Sequence, residues 1–220
     1  MLVEEIMHRI VHTVEPELSI REAFQVARQH RIRHLPVVKE GRLVGIITDR
    51  DLGHALLHMV DDEPAAEALA HPVSEVMRRE IITAHPLDFV EEAARLLYQH
   101  NIGCLPVVHG ERLTGILTRK DVFKTLIEMF GVHQPSQHVE VEVADKIGVL
   151  AEVSRIFSQH KTNIHRVMVY PGRQPGRLKL VFRVQAINML GALRDIVSAG
   201  HRVLWPPLPP DAGKPGECHE

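Results

Sequence analysis

The spacing of hydrophobic residues along the first third of the chain alternates several times between a strand-like and a helix-like period. A short β-branched stretch, IVHTV, precedes the helical pattern SIREAFQVARQH, in which Ser19 and Glu22 have the spacing of a capping box. An apolar strand, a tight turn at Glu40-Gly41 and a second strand follow. A last helix is expected to begin near Asp51. The pattern therefore predicts the element order β-α-β-β-α.

The same pattern returns seventy residues later without a gap, with about twenty identical positions over some fifty. LPVV recurs at 35–38 and 105–108, and the motif Gly-Ile-x-Thr-x-x-Asp recurs at Gly45 and Gly115. In the second copy, Asp88 and Glu91 predict the capping box of the first helix. A copy of about fifty residues has little core of its own, so the two copies are expected to pack as one pseudo-twofold domain.

The last third of the chain follows a different pattern. HVEVEV alternates as a half-buried strand should, and a turn leads into VLAEVSRIFSQHK, where the predicted buried stripe is Leu150, Val153, Ile156 and Phe157. Three further elements complete the order β-α-β-β-α-β: the hairpin NIHRVMVY-PGRQPG-RLKLVFRV, a helix over about 188–199 and the strand HRVLW. That order is ferredoxin-like, so the predicted fold class is α/β, in the broad α+β sense.

These patterns also set domain limits, and the final Pro- and Gly-rich stretch predicts a disordered tail. The expected divisions are a first repeat (1–60), a linker (61–71), a second repeat (72–132), a short linker (133–137), a ferredoxin-like domain (138–206) and the tail (207–220).

Composition narrows the classes of protein that remain. Hydrophobic residues make up 45% and charged residues 25% of the chain, and the formal net charge is −2. Without a basic surface, a nucleic-acid partner is not expected. No apolar run is long enough to cross a membrane, and the start of the chain lacks the pattern of a signal peptide, which predicts a cytoplasmic protein. Two cysteines, Cys104 and Cys218, do not form the framework of a disulfide-rich scaffold.

Neither a metal site nor catalysis is predicted. The sixteen histidines include no HExxH motif, and no pair of Cys-x-x-Cys motifs is present. His54 and His58 have helical i,i+4 spacing, but a solvated helix face is favoured over a shared metal ion. P-loop, Gly-x-Ser-x-Gly and dinucleotide fingerprints are missing from the sequence.

The repeated Thr and Asp have two possible roles. Thr48 with Asp51, and Thr118 with Asp121, have the spacing of a helix cap. Alternatively, the carboxylate accepts hydrogen bonds from both hydroxyls of a ribose, while the Thr hydroxyl and free N–H groups face a phosphate. The neighbouring cations are either phosphate ligands or solvated side chains; they are Arg50, Arg119 and Lys120.

The doubled motif, the LPVV strands and the Met that begins each copy (Met7 and Met77) resemble a tandem pair of CBS domains, a Bateman module, over about residues 1–130. The resemblance implies an adenosyl effector between the repeats, with Asp on the ribose and Thr on the ribose or phosphate. AMP, ADP, ATP, NAD and S-adenosylmethionine are the expected ligands, at two sites. It also places the adenine slot near the first strand of each copy and at the start of each LPVV strand. The matching residues are Thr13, Val14, Thr83 and Ala84, and then His34, Pro36, Cys104 and Pro106.

The segment DKIGVLAEVSRIFSQHKTNI resembles an ACT domain, a module that binds amino acids, over about residues 137–206. The positions that match its ligand site are Asp145, Gly148 and Asn163. The alternative is that Gly148 permits a tight turn and Asn163 starts a strand. The CBS pair followed by an ACT domain resembles the acetoin-utilisation protein B family, which is associated with growth on acetoin and butanediol.

Together these patterns predict a non-catalytic sensor that forms a homodimer through its CBS pair and its ACT domain, with a protein target that is unknown. Two alternatives remain open. One is a constitutive dimeric scaffold in which the CBS pockets are vestigial. The other is an amino-acid sensor that acts through the ACT domain.

Overall fold

Two units make up the structure, a computed structural model that describes residues 1–53, 69–131, 135–186 and 189–208. The first unit is Met1–Leu126 and the second is Ile127–Glu220. The predicted linker 61–71, the predicted tail and the pair His54 and His58 lie wholly or largely outside the described residues. Of the predicted linker 133–137, residues 135–137 are described, and Gln137 already belongs to a strand. None of the helices described is both long and apolar enough to cross a bilayer.

The first unit is built on a four-stranded sheet in the order β1-β2-β4-β3. Each copy contributes one antiparallel hairpin, and the hairpins meet where Arg42 pairs with Arg112. This order is symmetric about the β2–β4 pair, as the pseudo-twofold prediction requires. The elements are α1 (Val3–Ile6), α2 (Ile20–His30), β1 (His34–Lys39), β2 (Arg42–Thr48), a 3-10 turn (Val73–Glu75), α3 (Val90–Gln99), β3 (Cys104–His109), β4 (Arg112–Thr118) and α4 (Arg119–Phe130), the last of which runs four residues beyond the unit's end at Leu126.

The helix that precedes each hairpin is capped differently in the two copies. Ser19 and Glu22 form the predicted reciprocal capping box at α2. The prediction for the second copy was wrong, because Phe89 occupies the N-cap of α3 and makes no side-chain cap. The seventy-residue offset places Phe89, not Asp88, opposite Ser19. Asp88 instead accepts a hydrogen bond from the backbone of His85 at 2.7 Å.

Two segments that contain the repeated Met positions cross from one copy to the other. The first crossing segment (residues 2–9) pairs with the second copy: His8 and Ile116 exchange backbone hydrogen bonds of 2.9 and 3.0 Å. The second crossing segment (residues 72–79) pairs with the first copy through Arg78 and Ile46. Each hairpin is therefore extended by chain that belongs, in sequence, to the other repeat.

The hydrophobic cores follow the same exchange. Val3 and Met7 pack with the buried residues of the second copy, and Val73 and Met77 pack with those of the first. This contact explains the repeated Gly45 and Gly115. A Cβ at Gly45 would lie 2.3 Å from the Met77 sulfur, and a Cβ at Gly115 would lie 2.5 Å from the Met7 sulfur.

The second unit has the ferredoxin-like arrangement, with an antiparallel sheet in the order β6-β7-β5-β8. Val153, Ile156 and Phe157 are buried as predicted, but Leu150 is 38% exposed and Val149 is buried in its place. The elements are β5 (Gln137–Ala144), α5 (Val149–Gln159), β6 (Asn163–Pro171), β7 (Arg177–Gln185), α6 (Met189–Ser198) and β8 (Arg202–Trp205). The α+β fold class is confirmed.

Candidate functional site

The first Thr–Asp motif lies where β2 ends and a helical turn begins. The Thr48 hydroxyl and backbone N–H both donate to the Asp51 Oδ2, at 2.7 and 3.1 Å. The Asp51 N–H donates to the Thr48 Oγ1 at 3.2 Å. These bonds form a reciprocal helix cap, so the capping role proposed from the spacing is present in the fold.

The second motif repeats this geometry at the start of α4. The Thr118 backbone N–H donates to the Asp121 Oδ2 at 2.9 Å, and the hydroxyl donates to the same oxygen at 2.5 Å. In both motifs the cap uses only one carboxylate oxygen, Oδ2. The other oxygen is available to a further partner.

That partner comes from a crossing segment in each case. The Arg78 Nη2 donates to the Asp51 Oδ1 at 2.9 Å, and the His8 Nε2 lies 3.0 Å from the Asp121 Oδ1. Arg78 and His8 are seventy residues apart, so they occupy matched positions of the duplication. Sequence reasoning missed both. Their place directly after the repeated Met was the available signal.

The environment of each carboxylate favours its ionised form. Burial would raise the pKa of Asp51, but hydrogen bonds from Thr48 and Arg78 outweigh it and lower the pKa below its ordinary value. For Asp121, burial again raises the pKa, and the bonds from Thr118 and His8 outweigh it. Each site therefore holds a half-buried carboxylate ready to accept hydrogen bonds.

The residues predicted for the adenine slot divide into two groups, one on the first strand of each hairpin and the other beside that strand. Val14 and Ala84 are buried, and their N–H groups donate to the carbonyls of Pro36 and Pro106 at 3.1 and 3.0 Å. Thr13 precedes Val14 and is exposed, whereas Thr83 precedes Ala84 and is half-buried.

His34 and Cys104 lie closer to the Thr–Asp motifs. They pair in register with Thr48 and Thr118, respectively. Burial lowers the pKa of His34, an effect that the charge of Asp49 partly opposes. Burial raises the pKa of the Cys104 thiol to about 12. Both side chains are therefore uncharged neighbours of the site at neutral pH.

The three cations of the motifs have different surroundings. The Arg119 guanidinium donates to the Ile102 carbonyl at 2.6 Å and to the Asn101 Oδ1 at 2.8 Å, so it secures the loop before β3. Arg50 and Lys120 are exposed. The geometry thus brings together Thr, Asp and the first residue of the strand in each copy, and it leaves these three cations at the periphery.

The residues matched to the ACT ligand site lie at opposite ends of one sheet. Gly148 has a φ of 85° in the turn that follows β5, where Asp145 also lies. Asn163 opens β6 and pairs with Gln185, at the end of the sheet remote from the Ala144–Arg177 pair. One chain therefore does not bring Asp145 and Asn163 together.

A cavity of about 570 Å³ lies elsewhere in the second unit, and none of the predicted residues lines it. Its lining includes the charged residues Glu142, Arg173, Arg177 and Arg202, together with His201. Among the residues that the structure describes, no three His, Cys, Asp or Glu side chains form a cluster able to hold a metal ion.

The comparisons with known proteins agree with this architecture. The CBS domain model matches residues 3–58 and 73–128, and the ACT domain model matches residues 138–199. The CBS domain-containing protein YhcV of Bacillus subtilis is 36% identical over 120 residues, which are 54% of this chain and 81% of YhcV. The L-aspartate semialdehyde sulfurtransferase of Methanocaldococcus jannaschii is 36% identical over 123 residues, which are 55% of this chain and only 22% of that enzyme.

Solved structures are similar in the same region. A Vibrio cholerae protein assigned to acetoin utilization (AcuB) is 30% identical with a TM-score of 0.54, covering 62% of this chain and 98% of its own. The CBS pair of protein MJ0100, in complex with 5′-methylthioadenosine and S-adenosyl-L-methionine, is 34% identical with a TM-score of 0.52, covering 61% and 98%. CBSX2, in complex with AMP, is 26% identical with a TM-score of 0.52, covering 59% and 98%. The chain belongs to the CBS-domain family and carries an ACT domain after its CBS pair.

Proposed function

We propose that this protein is a non-catalytic regulator whose CBS pair binds an adenosyl ligand. Asp51 and Asp121 bind the ribose, and Thr48 and Thr118 bind the ribose or a phosphate. One observation carries the proposal: in both copies a half-buried carboxylate uses Oδ2 for the helix cap and presents Oδ1 to a polar partner from the other copy. A cap alone does not require that second contact.

The choice of ligand class is supported by similar proteins. MJ0100 is solved with 5′-methylthioadenosine and S-adenosyl-L-methionine, and CBSX2 with AMP. All three ligands contain adenosine, whereas only AMP contains a phosphate. The proposed effectors are accordingly AMP, ADP, ATP, NAD or S-adenosylmethionine, recognised chiefly through the adenosine that they share.

The uncharged neighbours of the motifs support an adenine slot. His34, Pro36, Cys104 and Pro106 line the first strand of each hairpin, and the neutral side chains of His34 and Cys104 suit a purine ring better than a charged group would. Beside these strands, Val14 bridges to Val37 and Ala84 bridges to Val107. These two residues, with Thr13 and Thr83 before them, are proposed to supply backbone groups to the slot rather than charge. The cations at the periphery are proposed to bind the phosphate of a ligand that carries one; they are Arg50, Arg119 and Lys120.

We further propose a cytoplasmic homodimer. β6 is an edge strand of the second sheet, and its Val167 and Val169 are 40% and 50% exposed. Antiparallel pairing of β6 with a second copy would cover these side chains and would bring Asp145 and Gly148 of one copy toward Asn163 of the other. Size-exclusion chromatography with light scattering is expected to give twice the mass of one chain, and a monomer would contradict this assembly.

The regulatory mechanism that we propose is a population shift. A ligand that binds one arrangement of the CBS pair more tightly would favour that arrangement and pass the change to the ACT domain. The structural similarity to the Vibrio cholerae protein supports a link to acetoin use. The proposed link to butanediol use rests on the sequence resemblance alone. The domain limits predicted from the sequence, with the two repeats at 1–60 and 72–132 and the ACT domain at 138–206, are part of the same proposal.

A constitutive scaffold is the second candidate, and the complete helix caps at both motifs favour it. In a scaffold, replacing either Asp would cost about 1 kcal/mol of cap stability and nothing else. An amino-acid sensor acting through the ACT domain would instead lose its ligand on replacement of Asn163 by Ala.

A thermal-shift screen with the five effectors, followed by calorimetry, separates these candidates. Ligand at a hundred times its dissociation constant adds about 2.7 kcal/mol, which is a rise of roughly 5–10 °C for a chain of this size. Asp51→Ala and Asp121→Ala are expected to reduce or abolish the shift. Ser19→Ala is the matched control, because it removes a cap of the same kind that lies outside the motifs.

The outcomes are distinct. A shift that survives Ser19→Ala and is lost with the Asp variants supports the adenosyl sensor. The absence of a shift with any effector in the wild-type protein contradicts it and leaves the scaffold. A response to amino acids that Asn163→Ala removes would transfer the sensing role to the ACT domain.

A further inference from the structure

We infer that the two ligand sites are unequal, and that the Asp121 site binds an adenosyl ligand more tightly than the Asp51 site. The inference rests on the proposed function and identifies the residues that set the difference. They are His8 and Arg78, which contact Oδ1 of Asp121 and of Asp51, respectively, and take no part in the helix cap. We call Oδ1 the outer oxygen and His8 and Arg78 its outer partners.

The two carboxylates are otherwise closely matched. Their side chains are 15% and 16% exposed, and each receives the same pair of bonds from its Thr. The exposed fraction of the Arg78 and His8 side chains is also the same, at 62%. The chemical nature of the outer partner is therefore the main difference at the carboxylate itself.

That difference determines what a ribose must displace. Ribose hydroxyls are donors, and Oδ2 already accepts two hydrogen bonds from Thr. The two hydroxyls of the ribose therefore need both lone pairs of Oδ1, and the outer partner occupies one of them. The Arg78 guanidinium is charged at every physiological pH, whereas the His8 imidazole is charged only when it is protonated. Both contacts are made to an ionised carboxylate, but Arg78 adds a permanent positive charge that a neutral imidazole lacks, so the contact with Arg78 is the harder one to displace.

Both outer partners can leave without disturbing the fold. The backbone of His8 pairs with Ile116 and that of Arg78 pairs with Ile46, and neither pairing uses the side chain. With more than half of each side chain in solvent, rotation away from the carboxylate exposes little new apolar surface. Each side chain therefore acts as a removable competitor for Oδ1, and exchanging the two should exchange the affinities.

The test isolates each site and then changes its competitor. Asp51→Ala leaves the Asp121 site, and Asp121→Ala leaves the Asp51 site; Asn variants replace the Ala variants if either fails to fold. The probe is 5′-methylthioadenosine, titrated by calorimetry. It carries no phosphate, so Arg78 cannot gain a contact with it that hides the competition.

We expect the Asp121 site to bind the probe about threefold more tightly than the Asp51 site, the difference expected for an ion pair whose cation is more than half exposed. Arg78→His should tighten the Asp51 site by about the same factor, and His8→Arg should weaken the Asp121 site. Thermal unfolding of every variant checks that the fold is retained.

Equal affinities at the two sites, or affinities that neither exchange alters, would overturn the inference and leave the proposed function standing. If only AMP binds, the same exchanges are measured with AMP, and a weakening by Arg78→His would overturn the inference by making Arg78 a phosphate ligand. If neither AMP nor 5′-methylthioadenosine binds the wild-type protein, the proposed function fails and the inference fails with it.

Discussion

At the scale of single residues, the depressed pKa values of Asp51 and Asp121 couple stability to pH. A carboxylate whose folded pKa lies below its unfolded value stabilises the fold fully above the unfolded pKa, about 3.9 for Asp. The stabilisation is lost as the pH falls through the lower, folded pKa. We therefore expect Asp51→Asn and Asp121→Asn to lower the free energy of unfolding at pH 7 and to have little effect near pH 2.

Urea unfolding at several pH values measures this effect. Asp145→Asn is the control, because Asp145 is exposed and its structural bond is made by the backbone N–H to the Gly176 carbonyl. A destabilisation by the two Asn variants that is the same at pH 7 and pH 2 would contradict the ionic account of these caps.

The buried thiol of Cys104 gives a second prediction at this scale. With its pKa raised to about 12, the thiol is almost entirely protonated and inaccessible at pH 8. In a Cys218→Ser background, a disulfide reagent should label the protein only as fast as the first unit opens, and at full speed in denaturant. Rapid labelling of the native protein would show that Cys104 is reachable from solvent.

The residues of the site were only partly predictable from the sequence. Thr48, Asp51 and their counterparts were identified because the motif is doubled at a fixed offset, and the offset is visible without a structure. Arg78 and His8 were not, since each acts on the motif of the other copy and no local spacing links Arg78 to Asp51. Contacts made across a duplication are set by how the copies pack.

At the scale of elements, the crossing segments explain why glycine stands in the middle of β2 and β4. A Cβ at Gly45 would meet the sulfur, Cγ and Cβ of Met77 at 2.3, 2.9 and 3.3 Å. Gly45→Ala is expected to destabilise the protein by about 1–3 kcal/mol through overpacking. Chemical denaturation measures the change.

Gly53→Ala is the control for that experiment, because Gly53 lies in a helical turn and a Cβ there meets no atom of the described residues within 4 Å. It should be neutral or stabilising by up to about 1 kcal/mol. If Gly45→Ala is as harmless as Gly53→Ala, the close approach of Met77 is not a constraint on this strand.

Most of the element order was predictable because each element has the periodicity of its structure, and the ferredoxin-like order followed directly. The predicted first strand of each copy was wrong: IVHTV and IITAH form only the isolated bridges of Val14 with Val37 and of Ala84 with Val107.

The ends of elements were less predictable. Asp88 has the side chain of an N-cap, yet the repeat register gives that place to Phe89. Leu150 continues the helical stripe by spacing, yet α5 turns it toward solvent and buries Val149.

At the scale of the whole molecule, the exchange of segments predicts that a destabilising substitution in the crossing segment of one copy loosens the sheet of the other copy. Met7→Ala should loosen β3 and β4, and Met77→Ala should loosen β1 and β2, each at a cost of about 2–5 kcal/mol. Hydrogen exchange with peptide resolution tests this, and the two variants serve as controls for each other. Loss of protection confined to the copy that contains the substitution would contradict the exchange.

Because of the exchange, the two copies can complete their folds at different stages of translation. The crossing segment that the second copy needs has already been synthesised when the strands of that copy leave the ribosome. The first copy must wait for residues 73–78, although Leu35, Val37 and Ile47 have emerged long before. The nascent chain therefore carries an unfinished apolar sheet through the middle of translation, and this interval is when a chaperone would find the most to bind.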